Sequence, residues 1–440
     1  MRCLWLTLAD ANPRTNGQFI YSGGLLDAVA ASGAQLDVIG LVRPESQSTW
    51  GTSEGSVRHW FCHGPSSFRW TGLASPLPYM ALRQRVPKLQ RLLDDMLAPH
   101  AHPCDAIVFD SLSPAWLLPT ILKRLSVMRR RPALIYLAHN HEESLAFTTA
   151  GAHPHPVKRQ VHRWDAVKVG ALETALIAHA DAVTAISHED AHLFRTSSPD
   201  KRFDVLPPPY TGTRLASRTI DQDTPRRVVI AGSYDWMPKR VNLEEFLAAA
   251  TPRFRRAGVE LQVIGSAEPA FLAGLRRKYP EVDFTGAVDN ITGFLAQARL
   301  GIVAERVGGG LKLKVLDYAF HGLPIAALSG SINGTPLVDR ESALFADGHA
   351  ELAQVVLSSI DDFRLLNRLQ RAAYAACAAM FDHDSIGRQL TRVIEEAVRR
   401  ATAIRPPAVR PGRPVAHANP NLPVPGWLAA IRHVPAVLMS

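Results

Sequence analysis

A glycine-rich segment with two lysines is the part of the sequence whose residue types point most directly to chemistry. Residues 307–317 read VGGGLKLKVLD and lie between an apolar stretch and a helical pattern. Consecutive glycines let a backbone approach a ligand closely, and the first N–H groups of a helix attract anions. Lysines beside that positive helix end are electrostatically unfavourable unless a bound anion offsets their charge. The segment therefore predicts a diphosphate site formed by Gly308, Gly309, Gly310, Lys312 and Lys314.

A carboxylate follows in the same predicted helix. Asp317 stands three residues after Lys314, so the two side chains share one helix face. There it could accept hydrogen bonds from ribose hydroxyls. The competing interpretation is a tight glycine turn followed by solvent-exposed lysines, but the strand before and the helix after the glycines favour the phosphate site.

The second candidate group is a histidine at the end of a predicted strand. Residues 137–142 read LAHNHE, which places His139 where the carboxyl end of a parallel strand would open into a site. A histidine in this position can also be a structural core or loop residue whose hydrogen bonds are made within the protein. Glu142 could orient an imidazole or begin the next helix as a first-turn acid, and both interpretations stay open.

The elements that would position these groups alternate between strand and helix. In the first half, residues 18–31 predict a helix that stops at Gly33. Strands are predicted at 2–8, 35–42, 57–61, 106–109, 133–138 and 182–186. Alternation at this spacing predicts a mostly parallel sheet with helices on both faces.

A proline-rich break separates this half from a second alternating series. Residues 206–209 read LPPP, and a polar stretch continues to 226, which is typical of an interdomain linker. Strands are then predicted at 227–230, 261–264, 282–284, 300–303 and 324–327. The sequence thus predicts two doubly wound, Rossmann-like α/β domains, whose ligands would lie in the cleft between them.

The predicted domain boundaries follow from these breaks. They are a first domain at 1–206, a linker at 207–226, a second domain at 227–383, a helix at 384–403 that could cross back to the first domain, and a tail at 404–440. The tail has eight prolines, four arginines and no acid, which favours a flexible segment. Its apolar end, 426–431, could instead dock on a surface.

Composition limits the class of protein. The chain has 440 residues, 47% of them hydrophobic and 20% charged, which suits a globular protein with two cores. We find no apolar run of about eighteen residues, and the first residues are interpreted as a buried strand rather than a signal peptide. The four cysteines are scattered, which indicates a reducing compartment and predicts a cytoplasmic protein.

The formal net charge of +9 leaves more than one partner open. Nucleic acid is disfavoured because the chain has no recognition motif and no aromatic-basic platform. The densest basic run is either a solvated face or a peripheral contact with anionic lipid at the inner face of a membrane. That run comprises Lys123, Arg124, Arg129, Arg130 and Arg131. No metal site is predicted, since no Asp-x-Asp follows a strand and no helical histidine pair has an acid nearby.

The segment GGGLKLKVLDYAFHGLPIAA resembles the donor-binding segment of family 4 (group 1) GT-B glycosyltransferases, in the branch that reads GGG-x-K-x-K. Other parts of the chain are similar to the same family over most of residues 1–402. They are Asn16-Gly17 ahead of the first helix, the LAHNHE loop, the ADAVTAIS strand at 180–187 and GSYDWMP at 232–238.

This resemblance implies a GT-B fold and transfer of a sugar from a nucleotide-diphosphate sugar, with retention of anomeric configuration. The donor would be a substrate, and no cofactor is expected. The acceptor would be a glycan, lipid-linked or a small molecule, in polysaccharide or glycoconjugate biosynthesis. Two alternatives remain: a nucleotide-sugar epimerase of the same fold, and a non-catalytic nucleotide-sugar-binding protein.

The resemblance also implies roles for individual residues. His139 would contact the donor sugar near the reacting carbon. Gly17 and the glycine-lysine segment would bind the diphosphate, and Asp317 would bind the ribose. Supporting positions are Asn16, Asn140, Glu142, Lys239 and Arg240. The chain departs from the family where Gly309 replaces a glutamate, where Asp317 is shorter than the usual glutamate, and where Ser233 replaces a basic residue.

Overall fold

The computed structural model describes residues 1–14, 16–46, 48, 50–64, 75–99, 101–215, 217–306 and 311–403. These residues form two α/β units, each built on its own sheet. The expected fold class, two Rossmann-like domains in a GT-B arrangement, is confirmed. The predicted tail at 404–440 and Gly308, Gly309 and Gly310 lie outside the described residues.

The first unit is an eight-stranded sheet in the order β3-β4-β2-β1-β5-β6-β7-β8. Its strands are β1 (Arg2–Ala9), β2 (Gln35–Leu41), β3 (Trp50–Glu54), β4 (Val57–Cys62), β5 (Ala106–Asp110), β6 (Ala133–Leu137), β7 (Ala182–Ala185) and β8 (Phe203–Val205). All pairs are parallel except β3 with β4. Every residue of β5 and β6 is buried, as expected for central strands covered by helices on both faces.

Helices cover both faces of this sheet. They are α1 (Gly17–Ala31), α2 (Tyr79–Leu82), α3 (Pro87–Met96), α4 (Leu118–Leu125), α5 (Glu142–Gly151), α6 (Pro156–His179) and α7 (His188–Ser197). Side chains of α3, α4 and α6 share one core with the sheet, and those of α1 share another. As predicted, α1 ends before Gly33, whose φ of 84° lies in the left-handed region.

The second unit is a parallel six-stranded sheet in the order β11-β10-β9-β12-β13-β14. Its strands are β9 (Arg227–Ala231), β10 (Glu260–Ile264), β11 (Asp283–Gly286), β12 (Leu300–Val303), β13 (Ile325–Leu328) and β14 (Leu344–Ala346). The later helices are α8 (Met237–Ala257), α9 (Pro269–Lys278), α10 (Thr292–Ala296), α11 (Lys314–Phe320), α12 (His349–Ser359), α13 (Phe363–Met380) and α14 (His383–Ala403).

The last helix returns to the first unit. Ile386, Leu390 and Ile394 of α14 belong to the same core as α1 and β6. At the crossing, a Cβ built on Gly387 would lie 2.8 Å from the Cβ of Ala28. Glycine therefore allows α14 and α1 to approach closely at this point.

The linker is packed on the second unit over most of its length. The backbone N–H of Leu215 donates to the carbonyl of Phe320 at 2.8 Å. The N–H of Ile220 donates to the side chain of Asn367 at 3.0 Å. The chain thus crosses between the units near Pro207–Pro209 and again where α14 begins.

Three strands were not predicted from the sequence: β3, β8 and β14. Strand β3 is an edge strand whose residues are mostly exposed, so it has no apolar pattern. The other two have three residues each, too few for a periodicity to show. Two predicted strands also begin one residue later than expected, β11 at Asp283 and β13 at Ile325.

Candidate active site

The strand orders locate the places where a ligand would bind. In the first sheet, the chain direction across the sheet reverses between β1 and β5, and in the second between β9 and β12. Ligands of open α/β sheets bind outside the carboxyl ends of the strands at such switch points. Asn16 before α1, the ends of β5 and β12, and the start of α11 all lie at these points.

His139 is buried just beyond the end of β6. Its Nε2 lies 2.6 Å from Oδ1 of Asp110, the last residue of β5. The imidazole also meets the ring of Tyr21 edge-on, with centroids 4.9 Å apart. The ring is therefore held in one orientation by a carboxylate on one side and an aromatic ring on another.

Asp110 is fully buried and is the residue that orients the histidine. It also accepts hydrogen bonds from Trp5 Nε1 at 3.0 Å and Ser22 Oγ at 3.1 Å. Burial alone would raise the pKa of Asp110, but the hydrogen bonds from His139, Trp5 and Ser22 bring that pKa below its usual value. The carboxylate is therefore charged.

The charge on Asp110 determines how His139 can act. A carboxylate only accepts hydrogen bonds, so Nε2 of His139 must donate the one it makes. The other ring nitrogen, Nδ1, is buried and has no hydrogen-bond partner among the described residues. A substrate hydroxyl that donates to Nδ1 would satisfy it.

Asp110 was missed by the sequence analysis. Its partner lies 29 positions away, so no local spacing connects the two. The available signal was an acidic residue that ends an otherwise apolar strand. Ser111, which follows it, has a φ of 83°, a conformation that is costly for a residue with a Cβ and is concentrated at functional sites.

The loop after His139 builds the start of α5. Asn140 Nδ2 donates to Glu142 Oε1 at 3.2 Å, and burial raises the pKa of Glu142. Glu142 is the first residue of α5, while the carboxylate that orients an imidazole is that of Asp110. His141 caps the helix, since its Nδ1 accepts from the N–H of Ser144 at 3.2 Å.

A cluster of charged side chains lies at the corresponding place in the second unit. Lys314, the first residue of α11, forms an ion pair with Glu305, and their side chains are only 12% and 8% exposed. Burial lowers the pKa of Lys312 to about 8, and the nearby Lys314 and Lys239 add to the decrease. Burial and Lys314 likewise lower the pKa of Lys239. Lys312 and Lys239 thus lie near the Lys314–Glu305 pair in a partly buried region, and we call these three lysines and the carboxylate the lysine cluster.

Glu305 was also missed by the sequence analysis. Burial alone would raise the pKa of Glu305, but the three lysines bring it below its usual value. Its Oε2 is buried without a hydrogen-bond partner in the described part of the chain. A bound anion would meet these three ammonium groups, near which Asp235 and Asp190 also lie.

The segment that carries Lys312 and Lys314 packs against the start of α1 in the first unit. A Cβ built on Gly17 would lie 3.4 Å from Cδ1 of Leu313, the residue between Lys312 and Lys314. Asn16 caps α1 by accepting from the N–H of Phe19 at 3.2 Å, and the first turn of α1 contains no acid. The structure therefore brings the early glycine and the late lysines together.

The remaining predicted residues lie at the edge of this region. Asp317 Oδ1 accepts a hydrogen bond from Tyr210 at 3.0 Å, and burial raises the pKa of Asp317. Arg240 pairs with Glu268 at 3.0 Å and also donates to the carbonyl of Tyr234. Of the two predicted supporting cations, Lys239 joins the lysine cluster and Arg240 is engaged by Glu268.

Two other features are absent from the described ranges. No group of three or more histidine, cysteine, aspartate or glutamate side chains there could hold a metal ion. No described helix has both the length and the apolar character required to cross a membrane.

One family model matches part of the chain. Residues 225–362 match the family model described as "Glycosyl transferases group 1". The matched segment contains Lys239, Glu305, Lys312, Lys314 and Asp317. Comparison of the sequence with curated proteins gives no match.

Solved structures with a similar fold cover nearly the whole chain. Sucrose-phosphate synthase from Thermosynechococcus elongatus is 17% identical, with a TM-score of 0.66, over 91% of this chain and 100% of that one. Anabaena HepE, solved with UDP-glucose, is 12% identical, with a TM-score of 0.58, over 90% of this chain and 100% of HepE. WaaG, a glycosyltransferase involved in lipopolysaccharide biosynthesis, is 16% identical, with a TM-score of 0.59, over 89% and 99%. At these identities the likeness concerns the fold.

Proposed function

We propose that this chain is a group 1 glycosyltransferase of the GT4 type that moves a hexosyl group from a nucleotide-diphosphate sugar to an acceptor, with retention. One observation carries the proposal. Leu313, between Lys312 and Lys314, packs against the start of α1 at Gly17, and the lysine cluster lies inside the segment that matches the glycosyltransferase model. A diphosphate between these two elements would meet positive charge from both.

The chemistry follows from where charge develops. Glycosyl transfer breaks the bond between the anomeric carbon and the diphosphate oxygen, and the electron pair leaves with the nucleoside diphosphate. Lys312, Lys314 and the first N–H groups of α1 would stabilise that charge. A well-placed preorganised donor contributes about 3–4 kcal/mol to such a step.

Glu305 would act as a positioning residue for the lysines. Its ion pair with Lys314 fixes one ammonium group at the first residue of α11. Without Glu305, like-charge repulsion would drive the three lysines apart or lower their pKa values further. The carboxylate thus allows a dense positive site to exist before the donor arrives.

His139 would act on the sugar itself. Asp110 fixes the orientation of the His139 ring, and Nδ1 has no partner within the described chain. A hydroxyl of the donor sugar would satisfy this nitrogen and align the anomeric carbon. Asp317 would accept from the ribose at the other end of the donor.

The ligands proposed for this chain rest on a structural neighbour and on the family resemblance. The structure of HepE was solved with UDP-glucose, so UDP-sugars are the first donors to test here. The acceptor would be a glycan, lipid-linked or a small molecule, in polysaccharide or glycoconjugate biosynthesis, at the inner face of a membrane. No metal and no cofactor takes part in the proposed reaction.

A thermal-shift screen with UDP-, GDP- and dTDP-sugars tests the donor site. One donor should raise the melting temperature of the native chain, and Lys314→Ala should abolish the increase because it removes a buried phosphate contact. Lys158→Ala is the control, since Lys158 is exposed on α6 of the first unit. Equal effects of the two substitutions would count against the proposed site.

Nuclear magnetic resonance of the reaction separates the alternative functions. With donor and acceptor together, a product of retained anomeric configuration is expected. A donor that isomerises when incubated alone would indicate an epimerase. Donor binding without turnover of any acceptor, unchanged by His139→Ala, would indicate a non-catalytic binding protein.

A further inference from the structure

Helices α5 and α6 form an antiparallel hairpin that begins beside the candidate active site. Helix α5 starts three residues after His139. Near this base the helices are in close contact, because a Cβ built on Gly170 would lie 2.7 Å from the carboxyl group of Glu143. At the opposite end the rings of His153 and His162 stack with centroids 5.3 Å apart.

The far end of the hairpin projects from the domain. Residues 154–163 are all exposed except Arg159, which is half-buried. At a rise of about 1.5 Å per residue, Val157 lies about 20 Å along the helix from Gly170. We call residues 154–164 the hairpin tip.

The hairpin tip combines apolar and basic side chains. Val157, Val161 and Trp164 follow the spacing i, i+4, i+7 and so form one stripe on the helix. The two valines are 65% and 40% exposed, among the largest exposures of apolar side chains in the described chain. Three cations accompany the stripe, and none has a carboxylate within 4.0 Å in the described residues: Lys158, Arg159 and Arg163.

The basic run singled out in the sequence is different. Arg124 pairs with Asp94, Arg130 with Asp105 at 3.1 Å, and Arg131 with Asp181 at 2.7 Å. Most of the positive charge in that run is therefore neutralised within the protein. Among the described residues, Lys123 and Arg129 of that run also have no carboxylate within 4.0 Å and flank the exposed Val127. The hairpin tip differs in carrying three such cations beside two exposed valines.

We propose that the hairpin tip binds an anionic lipid surface. A helix with exposed valines on one side and lysine and arginine beside them suits the boundary between headgroups and acyl chains. Its charge is complementary to an anionic leaflet. A protein partner is less suited, because a single projecting helix end offers far less than the roughly 800 Å² that each partner buries in a stable interface.

This contact would place the cleft close to the lipid. The hairpin base adjoins His139 and the hairpin tip lies about 20 Å further along α6, so an acceptor held in the bilayer surface would be within reach of the site. The proposal does not depend on the donor chemistry. It adds the surface by which the first unit would meet an acceptor-bearing membrane.

Vesicle co-sedimentation of the full chain tests the proposal. The chain should bind phosphatidylcholine–phosphatidylglycerol vesicles and not phosphatidylcholine vesicles. The double substitution Arg159→Gln, Arg163→Gln should weaken binding about 30-fold, since each basic residue near an anionic surface contributes about fivefold. The control, Arg388→Gln with Arg392→Gln, has the same chemistry and helical spacing on α14, on the opposite face of the first sheet, and should leave binding unchanged.

Further variants identify the source of the binding. Val157→Gln with Val161→Gln should also weaken binding, because it removes the apolar stripe. The proposal is overturned if the chain does not bind anionic vesicles, or if the Arg159/Arg163 and Arg388/Arg392 double substitutions weaken binding equally. It is also overturned if only Val127→Gln with Arg129→Gln abolishes binding. Retention on a polyglutamate surface but not on vesicles would indicate an acidic protein partner and also overturn it. A UDP-sugar thermal shift in each variant separates this outcome from a failure of the donor site.

Discussion

At the scale of single residues, a carboxylate orients each candidate group. Asp110 orients His139, and Glu305 holds Lys314. The histidine and the lysines were predicted from the sequence because a strand end and a glycine-rich segment are local patterns. Their carboxylate partners were not predicted, because each contact is created by the fold.

Replacing Asp110 by asparagine tests the role of the first carboxylate. Asp110→Asn keeps the shape of the side chain but removes the charge that holds the His139 ring in place. We expect kcat to fall about 10–100-fold, the effect typical of losing a partner that orients a histidine, with little change in KM for the donor. Steady-state kinetics with Asp200→Asn as an exposed control would check this. A change confined to KM, or equal losses in both variants, would contradict the assignment.

The pKa of Lys312 predicts a pH dependence of donor binding. Burial lowers the pKa of the donor-free ammonium to about 8, so its charge is present below that pH and is lost above it. Affinity for a nucleoside diphosphate should therefore fall as pH rises through about 8. Calorimetric titration at pH values on both sides of 8 measures this affinity. In Lys312→Arg the affinity should decrease less with pH, because arginine stays charged. An affinity that is constant with pH would rule out this role for Lys312.

At the scale of elements, long apolar strands were predictable and short or exposed ones were not. β1, β5 and β6 are continuous apolar segments, and their buried interiors agree with the sequence pattern. β3 lies at an exposed edge, and β8 and β14 are too short to show a period. The positions of the site loops follow from strand order, which depends on pairing between distant segments.

Two helix glycines give a matched test of packing. Gly387→Ala should destabilise the protein by about 1–3 kcal/mol, because its Cβ would overlap with that of Ala28 where α14 crosses α1. Gly274→Ala in α9 should stabilise it by about 0.5–1 kcal/mol, since nothing lies within 4 Å of the new Cβ. Urea unfolding midpoints would compare the two. Similar shifts in both variants would mean that the α14–α1 crossing is not tightly packed.

At the scale of the whole molecule, two chain crossings join the units. One lies near Pro207–Pro209, because the later part of the linker is bonded to the second unit. The other precedes α14. Rotation about these two points would open and close the cleft without disturbing either core, and closure would exclude water from the donor.

Small-angle scattering tests this hinge. The radius of gyration should decrease when the donor is added, because the diphosphate holds the start of α1 against the loop before α11. In the Lys314→Ala variant, adding donor should leave the radius of gyration unchanged, because the diphosphate no longer connects the two units. A radius that the donor does not alter in the native chain would exclude closure as part of the reaction.

The most direct test is a crystal structure with a nucleoside diphosphate bound. We predict that the terminal phosphate lies within about 3 Å of the Lys312 or Lys314 ammonium group and next to the backbone N–H of Gly17. The ribose should then lie at Asp317. A diphosphate bound elsewhere would contradict the account. In that case the lysines of the cluster would still contact Glu305 and no phosphate.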